Sequence, residues 1–128
     1  MKIRTKDLTG AALDWAAAKA DDNLYPKGDV RLLDGKVFTI EAGDYERSDR
    51  WQRYSPSAVW AQGGPLIDSM VREGLRLTGY KSLPTDPTSC QAQIGNIVTG
   101  GPTPLIAAMR CFCCSKLGDT VEVPDELF

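Results

Sequence analysis

Four aromatic residues, Tyr45, Trp51, Tyr54 and Trp60, are interleaved with Arg47, Arg50 and Arg53 over 16 positions. Aromatic faces stack on nucleobases at ~1–3 kcal/mol per base, and guanidinium forks grip phosphate oxygens in pairs. The stretch runs on through Tyr54-Ser55-Pro56-Ser57, whose hydroxyls either close a turn or face a polar ligand, and through Gln62 into Gly63-Gly64-Pro65-Leu66-Ile67. A second glycine pair stands before proline in Gly100-Gly101-Pro102-Thr103-Pro104-Leu105-Ile106, with Arg110 one to two turns behind it. Glycine permits close backbone approach, and proline suits a first helical turn. Each segment therefore predicts a bare helix N-terminus, where free N–H groups and the dipole favour phosphate or carboxylate. The predicted ligand-binding set is Arg47, Arg50, Trp51, Arg53, Tyr54, Ser55, Ser57, Trp60, Gln62, Gly63, Gly64, Gly101, Thr103 and Arg110, and the chemistry is that of a small nucleotide-like ligand. The competing reading makes both segments plain helix starts. The tryptophans then pack a loop onto a sheet, and the arginines pair with Asp44, Glu46 and Asp49 in water. The second glycine segment contributes only if the fold brings it beside the first.

Composition narrows the chemistry. The 128 residues suit one domain, 1–128, with a core of ordinary size. Hydrophobic content of 42% and charged content of 25% are those of a globular protein. The net charge of −2 argues against general nucleic-acid binding, although a small nucleotide responds to local charge. The chain has no histidine, which removes the commonest general base and the Ser-His and Cys-His nucleophile pairs. The expectation is a protein that is not an enzyme and needs no cofactor. Asp44 and Asp49 are the candidate metal ligands, a thin set of two loop carboxylates. No apolar run approaches the ~20 residues that span a bilayer, and the N-terminus has no apolar segment of a secretory signal. Cytoplasmic location is the expectation.

Cys111, Cys113 and Cys114 fall near the far end of a predicted helix, where the dipole opposes thiolate formation. They read as buried, reduced core thiols.

The elements that must position these residues follow from periodicity and punctuation. Leu8, Ala11, Ala12, Trp15 and Lys19 predict one side of a helix that begins near Thr9, with Trp15 anchored in the core and Asp14 flanking that face towards solvent or a local hydrogen bond. Val30–Leu33 and Val37–Ile40 predict a hairpin across Asp34-Gly35-Lys36. A long surface loop over 41–60 precedes a short helix from Pro65 to about Glu73. Leu75–Tyr80 alternates as a strand, and Cys90–Val98 predicts one or two strands broken at Gly95-Asn96. Thr103 caps a last helix with Pro104 in its first turn, Gly118 ends it, and Thr120–Val123 predicts an edge strand. The fold class is α+β, a small single domain with a mainly antiparallel sheet and about three helices.

Three blocks resemble the NinX-like small phage proteins, a family with a domain of unknown function. They are Leu8-Thr9-Gly10-Ala11-Ala12-Leu13-Asp14-Trp15-Ala16, the segment from Tyr54 through Trp60 and Gln62-Gly63-Gly64 to Ile67, and Gly101-Pro102-Thr103-Pro104-Leu105-Ile106-Ala107-Ala108-Met109-Arg110. The resemblance implies a phage accessory protein acting in the infected bacterial cytoplasm and supplies no activity. Combined with the aromatic and arginine stretch, it leads to a non-catalytic binder of a cyclic nucleotide or ADP-ribose derivative, sequestering a host immune signal. The alternative is a protein–protein interaction module that inhibits a host factor, because exposed Trp and Arg anchor interfaces. A third reading is a metal-dependent nucleotide phosphodiesterase. A pocket shared between subunits makes a homo-oligomer the expected state.

Overall fold

The computed structural model describes residues 1–21, 30–39, 51–79 and 89–127. Tyr45, Arg47, Arg50, the carboxylates Asp44, Glu46 and Asp49, and the Pro-rich segment 83–88 lie outside the described residues. The described residues form three antiparallel sheets and three α-helices. Strand β1 (Lys2–Arg4) and a single 3-10 turn (Thr5–Asp7) lead into helix α1 (Gly10–Ala20). The predicted hairpin forms as β2 (Val30–Leu33) and β3 (Lys36–Thr39). Its two-residue turn has φ of 52° at Asp34 and 70° at Gly35, the left-handed pair that matches strand twist. A short β4 (Gln52–Arg53) joins β3 as the third strand.

Helix α2 (Trp60–Arg72), β5 (Arg76–Gly79), β6 (Cys90–Ile94) and β7 (Ile97–Gly101) follow. Helix α3 (Pro104–Leu117), β8 (Thr120–Glu122) and a second 3-10 turn (Asp125–Leu127) complete the order. β5, β6 and β7 make one antiparallel sheet. β8 pairs with β1, so the two ends of the fold are tied together; Thr5 reinforces the join by donating its hydroxyl to the Gly118 carbonyl at 2.6 Å.

Helix α3 is the centre of the fold, touching α1, α2, β5, β6, β7, β8 and the Thr5–Asp7 turn. Leu105, Ala107, Ala108, Met109, Cys111, Phe112 and Cys113 are buried, so its apolar surface extends well beyond the single stripe of the sequence reading. α1 shows the same correction. Its buried residues include Leu13, Ala16, Ala17 and Ala20, whereas Trp15 is half-buried with the Lys19 ammonium 5.8 Å from its ring centre. Small alanines let two backbones approach closely, and both α1 and α3 bury alanines completely at their packing surfaces. That close approach displaces the tryptophan to the margin.

The N-cap expectation holds at α3 and only in position at α1. Thr103 accepts a hydrogen bond from the Ile106 N–H at 3.1 Å, while Thr9 occupies the N-cap of α1 without a side-chain bond. T103A is expected to lower stability by about 1 kcal/mol in chemical denaturation, whereas T9A is expected to leave it unchanged within error. No helix among the described residues is long and apolar enough to cross a membrane.

Candidate functional site

The first predicted helix start is not one, whereas the second does open α3 at Pro104 behind the Thr103 cap. α2 begins at Trp60, five residues before Pro65, so Gly63-Gly64-Pro65 lies inside the helix. The N–H groups of Gln62 and Gly63 both point to the Val59 carbonyl, at 3.0 and 2.9 Å. Proline here forfeits one helical hydrogen bond, and the carbonyl it leaves, on exposed Ala61, can face water. Gly63 is glycine for a steric reason: a Cβ there would collide with the Pro56 carbonyl oxygen and lie 2.6 Å from Leu105 Cδ2. Gly100 and Gly101 belong to β7, and a Cβ on Gly101 would lie 2.7 Å from the Ala107 nitrogen. The two glycine segments do meet, where Gly63 abuts the Leu105 side chain in the first turn of α3.

Several other predicted site residues are structural. Arg110 donates to the Leu8 carbonyl and the Gly100 carbonyl, both at 2.8 Å, tying α3 to the start of α1 and to β7. Tyr54 is buried at 5% exposure and has no face free for stacking. Gln62 accepts from the Ser55 N–H at 2.6 Å and donates to the Arg53 carbonyl at 2.7 Å. Ser55 and Ser57 turn inward to Asp14, which is buried at 5% exposure and bonded across the fold, rather than facing the solvent or local partner that its position in the sequence suggested. Ser55 Oγ donates to Asp14 Oδ2 at 2.9 Å, and Ser57 donates from N and Oγ to Oδ1 at 3.0 and 2.7 Å. Burial pushes the Asp14 carboxyl above its ordinary value. The bonds from Ser57 and Ser55, and the nearby charge of Arg53, oppose that shift. Asp14 is thus a latch that fixes the turn before α2 onto α1. Sequence reasoning had no signal for it, since the partners lie more than forty positions apart.

All four cysteines are free. Burial pushes the thiols of Cys111 and Cys113 up, and Cys114 rises to about 11, so these three remain protonated at neutral pH.

What remains for ligand chemistry gathers on the β2–β3–β4 sheet. Successive side chains of a strand point to opposite faces. Val30, Leu32, Val37 and Thr39 share the inner face, with Val37 and Thr39 buried. The outer face carries a cross-strand row, Arg31 opposite Phe38 and Phe38 opposite Arg53. Leu33 and Lys36 extend it at the hairpin end, and Trp51, two residues before Arg53, adds a ring. The Arg31 guanidinium lies over Trp51, 4.3 Å from the ring centre. Arg31, Lys36 and Arg53 are exposed, Phe38 and Trp51 half-buried. Among the described residues, none of these three cations forms a salt bridge.

Arg53 also borders an open pocket of about 200 Å³ lined by Ser55, Ala58, Val59 and Gln62. Exposed Trp60 opens α2 just beyond that pocket, on the helix rather than the sheet. Of the predicted set, the structure therefore places Trp51 and Arg53 together and adds Arg31, Lys36 and Phe38. The signal for the additions was in the hairpin: its period-two alternation sets Arg31, Leu33, Lys36 and Phe38 on the face opposite the apolar one.

This face offers two rings for stacking and three cations for phosphate oxygens. No curated protein matches the chain. A family model does, over residues 4–116, a span that takes in the Asp14 latch, the whole basic and aromatic face and nearly all of α3. By that match the chain belongs to the phage family described as Bacteriophage P22, NinX.

Proposed function

We propose that this phage protein is a non-catalytic binder of a small nucleotide-like ligand, held on the outer face of the β2–β3–β4 sheet. The observation that carries the reading is the Arg31–Trp51 stack beside the Arg31–Phe38–Arg53 row. A guanidinium resting on a ring is held ready for phosphate while a neighbouring ring remains for the base. The chain's net charge of −2 disfavours long polyanions, whose binding grows with total basic charge. A compact ligand with one or two phosphates, such as a cyclic dinucleotide or an ADP-ribose derivative, needs only this local patch. In an infected cell such binding would withdraw a host immune signal from solution. Arg47 and Arg50 belong to the same reading by sequence and lie outside the described residues.

Titration calorimetry against cyclic mononucleotides, cyclic dinucleotides and ADP-ribose derivatives tests this. One class is expected to bind. R31A and R53A are each expected to weaken it about tenfold or more, since a charge-assisted hydrogen bond contributes ~1.5–3 kcal/mol and tenfold is ~1.4 kcal/mol. A folded protein that binds no member of the panel overturns the proposal.

A further inference from the structure

Helix α2 carries two apolar stripes, and among the described residues only one is fully covered, the other being tied to the core at Ile67 alone. Leu66 and Met70 are buried, with Gly63 beside them, on the side that packs against α3. The second stripe is Trp60, Gly64, Ile67 and Val71, spaced i, i+4, i+7 and i+11, the repeat that keeps residues on one side of a helix. Trp60 and Val71 are each 56% exposed, and Gly64 and Ile67 are half-buried. Space is open over Gly64, where a Cβ would meet nothing within 4 Å. The stripe runs ~16 Å along the axis at the rise of an α-helix.

Its order of sizes is self-complementary. Inverting the helix about the midpoint between Gly64 and Ile67 sets Trp60 opposite the partner's Val71, and the open space over Gly64 opposite the partner's Ile67. Each bulky group then meets a smaller one at both ends of the contact, as a two-fold interface requires. A parallel arrangement would instead stack Trp60 on its own copy and leave a void between the glycines. The flank adds no repulsion, because Asp68 and Arg72 on α2 already pair with each other at 3.6 Å.

We infer that this stripe is covered by a second copy of the same chain, with the two α2 helices antiparallel across a two-fold axis. A stripe of four residues covers less than the ~800 Å² per partner of a standard interface, so the dimer dissociates on dilution. The surface lies on α2, apart from the sheet face proposed to hold the ligand, and the inference stands independently of that reading.

Sedimentation velocity on the full chain is expected to show the mass rising from 14.0 kDa towards twice that value with concentration. W60E and V71R, both at exposed positions, are each expected to weaken association at least tenfold, with unchanged circular dichroism. The double variant W60E/V71R is expected to regain the dimer, because the antiparallel pairing brings the new carboxylate and guanidinium face to face at both ends. A mass of 14.0 kDa up to about millimolar concentration, the limit of weak association, overturns the inference. Single variants that still dimerise as the wild type does, or a double variant no better than either single one, also overturn it.

Discussion

D14A is expected to lower stability by about 3 kcal/mol, a large fraction of the ~5–15 kcal/mol that holds a domain of this size together. The Asp14 carboxylate accepts three hydrogen bonds in a buried site. Each buried donor left without an acceptor costs ~1–3 kcal/mol. The hydroxyls of Ser55 and Ser57 can rotate towards other acceptors, but the Ser57 N–H is fixed by the turn and cannot. Relief of the cost of burying the carboxylate offsets part of the loss, so the sum over the three donors stays at about 3 kcal/mol. Urea denaturation at neutral pH measures it; a loss under about 1 kcal/mol would show that the latch is dispensable.

The same residue gives a pH signature. Burial raises the folded-state pKa of Asp14 above 3.8, so the native state holds this proton more tightly than the unfolded chain does. Stability then falls as pH rises from about 3.8 through the raised value, and levels off beyond it. D14N keeps the size of the group and removes its titration. The stability of the wild type minus that of D14N is therefore expected to decline across that window and to be flat above it. A difference that grows with rising pH would mean that the hydrogen bonds and Arg53 outweigh burial.

G63A is expected to cost about 2–3 kcal/mol, the upper part of the range for an overpacked site, although alanine favours a helix over glycine by ~1 kcal/mol. The added methyl would strike the Pro56 carbonyl oxygen and crowd the buried Leu105 side chain. Pro56 is itself buried and lies between the two serines that hold Asp14. Relief on that side would have to come from opening the latch. G101A is expected to act in the same direction, since its methyl meets the backbone of Ala107. Thermal unfolding of both variants tests this. Wild-type stability in either one would show that the α2–α3 or β7–α3 contact has slack.

These two predictions mark where the sequence was silent. The hairpin, the strands over 76–79 and 90–101 and the last helix were legible because each is set by local chemistry. Alternation, the Asp34-Gly35 turn and the Thr103 cap act within a few residues. The start of α2 was misread because Pro65 is an ordinary first-turn signal, while the actual start follows the turn at Ser55–Ala58, which Asp14 secures from a distant helix. Trp15 and Tyr54 exchanged the environments expected of them for a similar reason. Alanine-lined helices pack closely enough to exclude a tryptophan, while the β4 edge draws Tyr54 inward through its N–H bond to the Val37 carbonyl.

By itself, then, the sequence determined the class of fold, the family resemblance, the lack of a histidine-based mechanism and the presence of aromatic and basic chemistry around Trp51 and Arg53. Tertiary structure alone decided which of those residues face solvent. It folded Ser55, Ser57 and Gln62 into the scaffold, set neighbouring backbone against Gly63 and Gly101, and raised Arg31, Phe38 and Arg53 into one row. The physical reason is range. Turn preferences and strand alternation are properties of neighbours in the chain, whereas burial of a carboxylate or exposure of a ring depends on what packs across tens of residues.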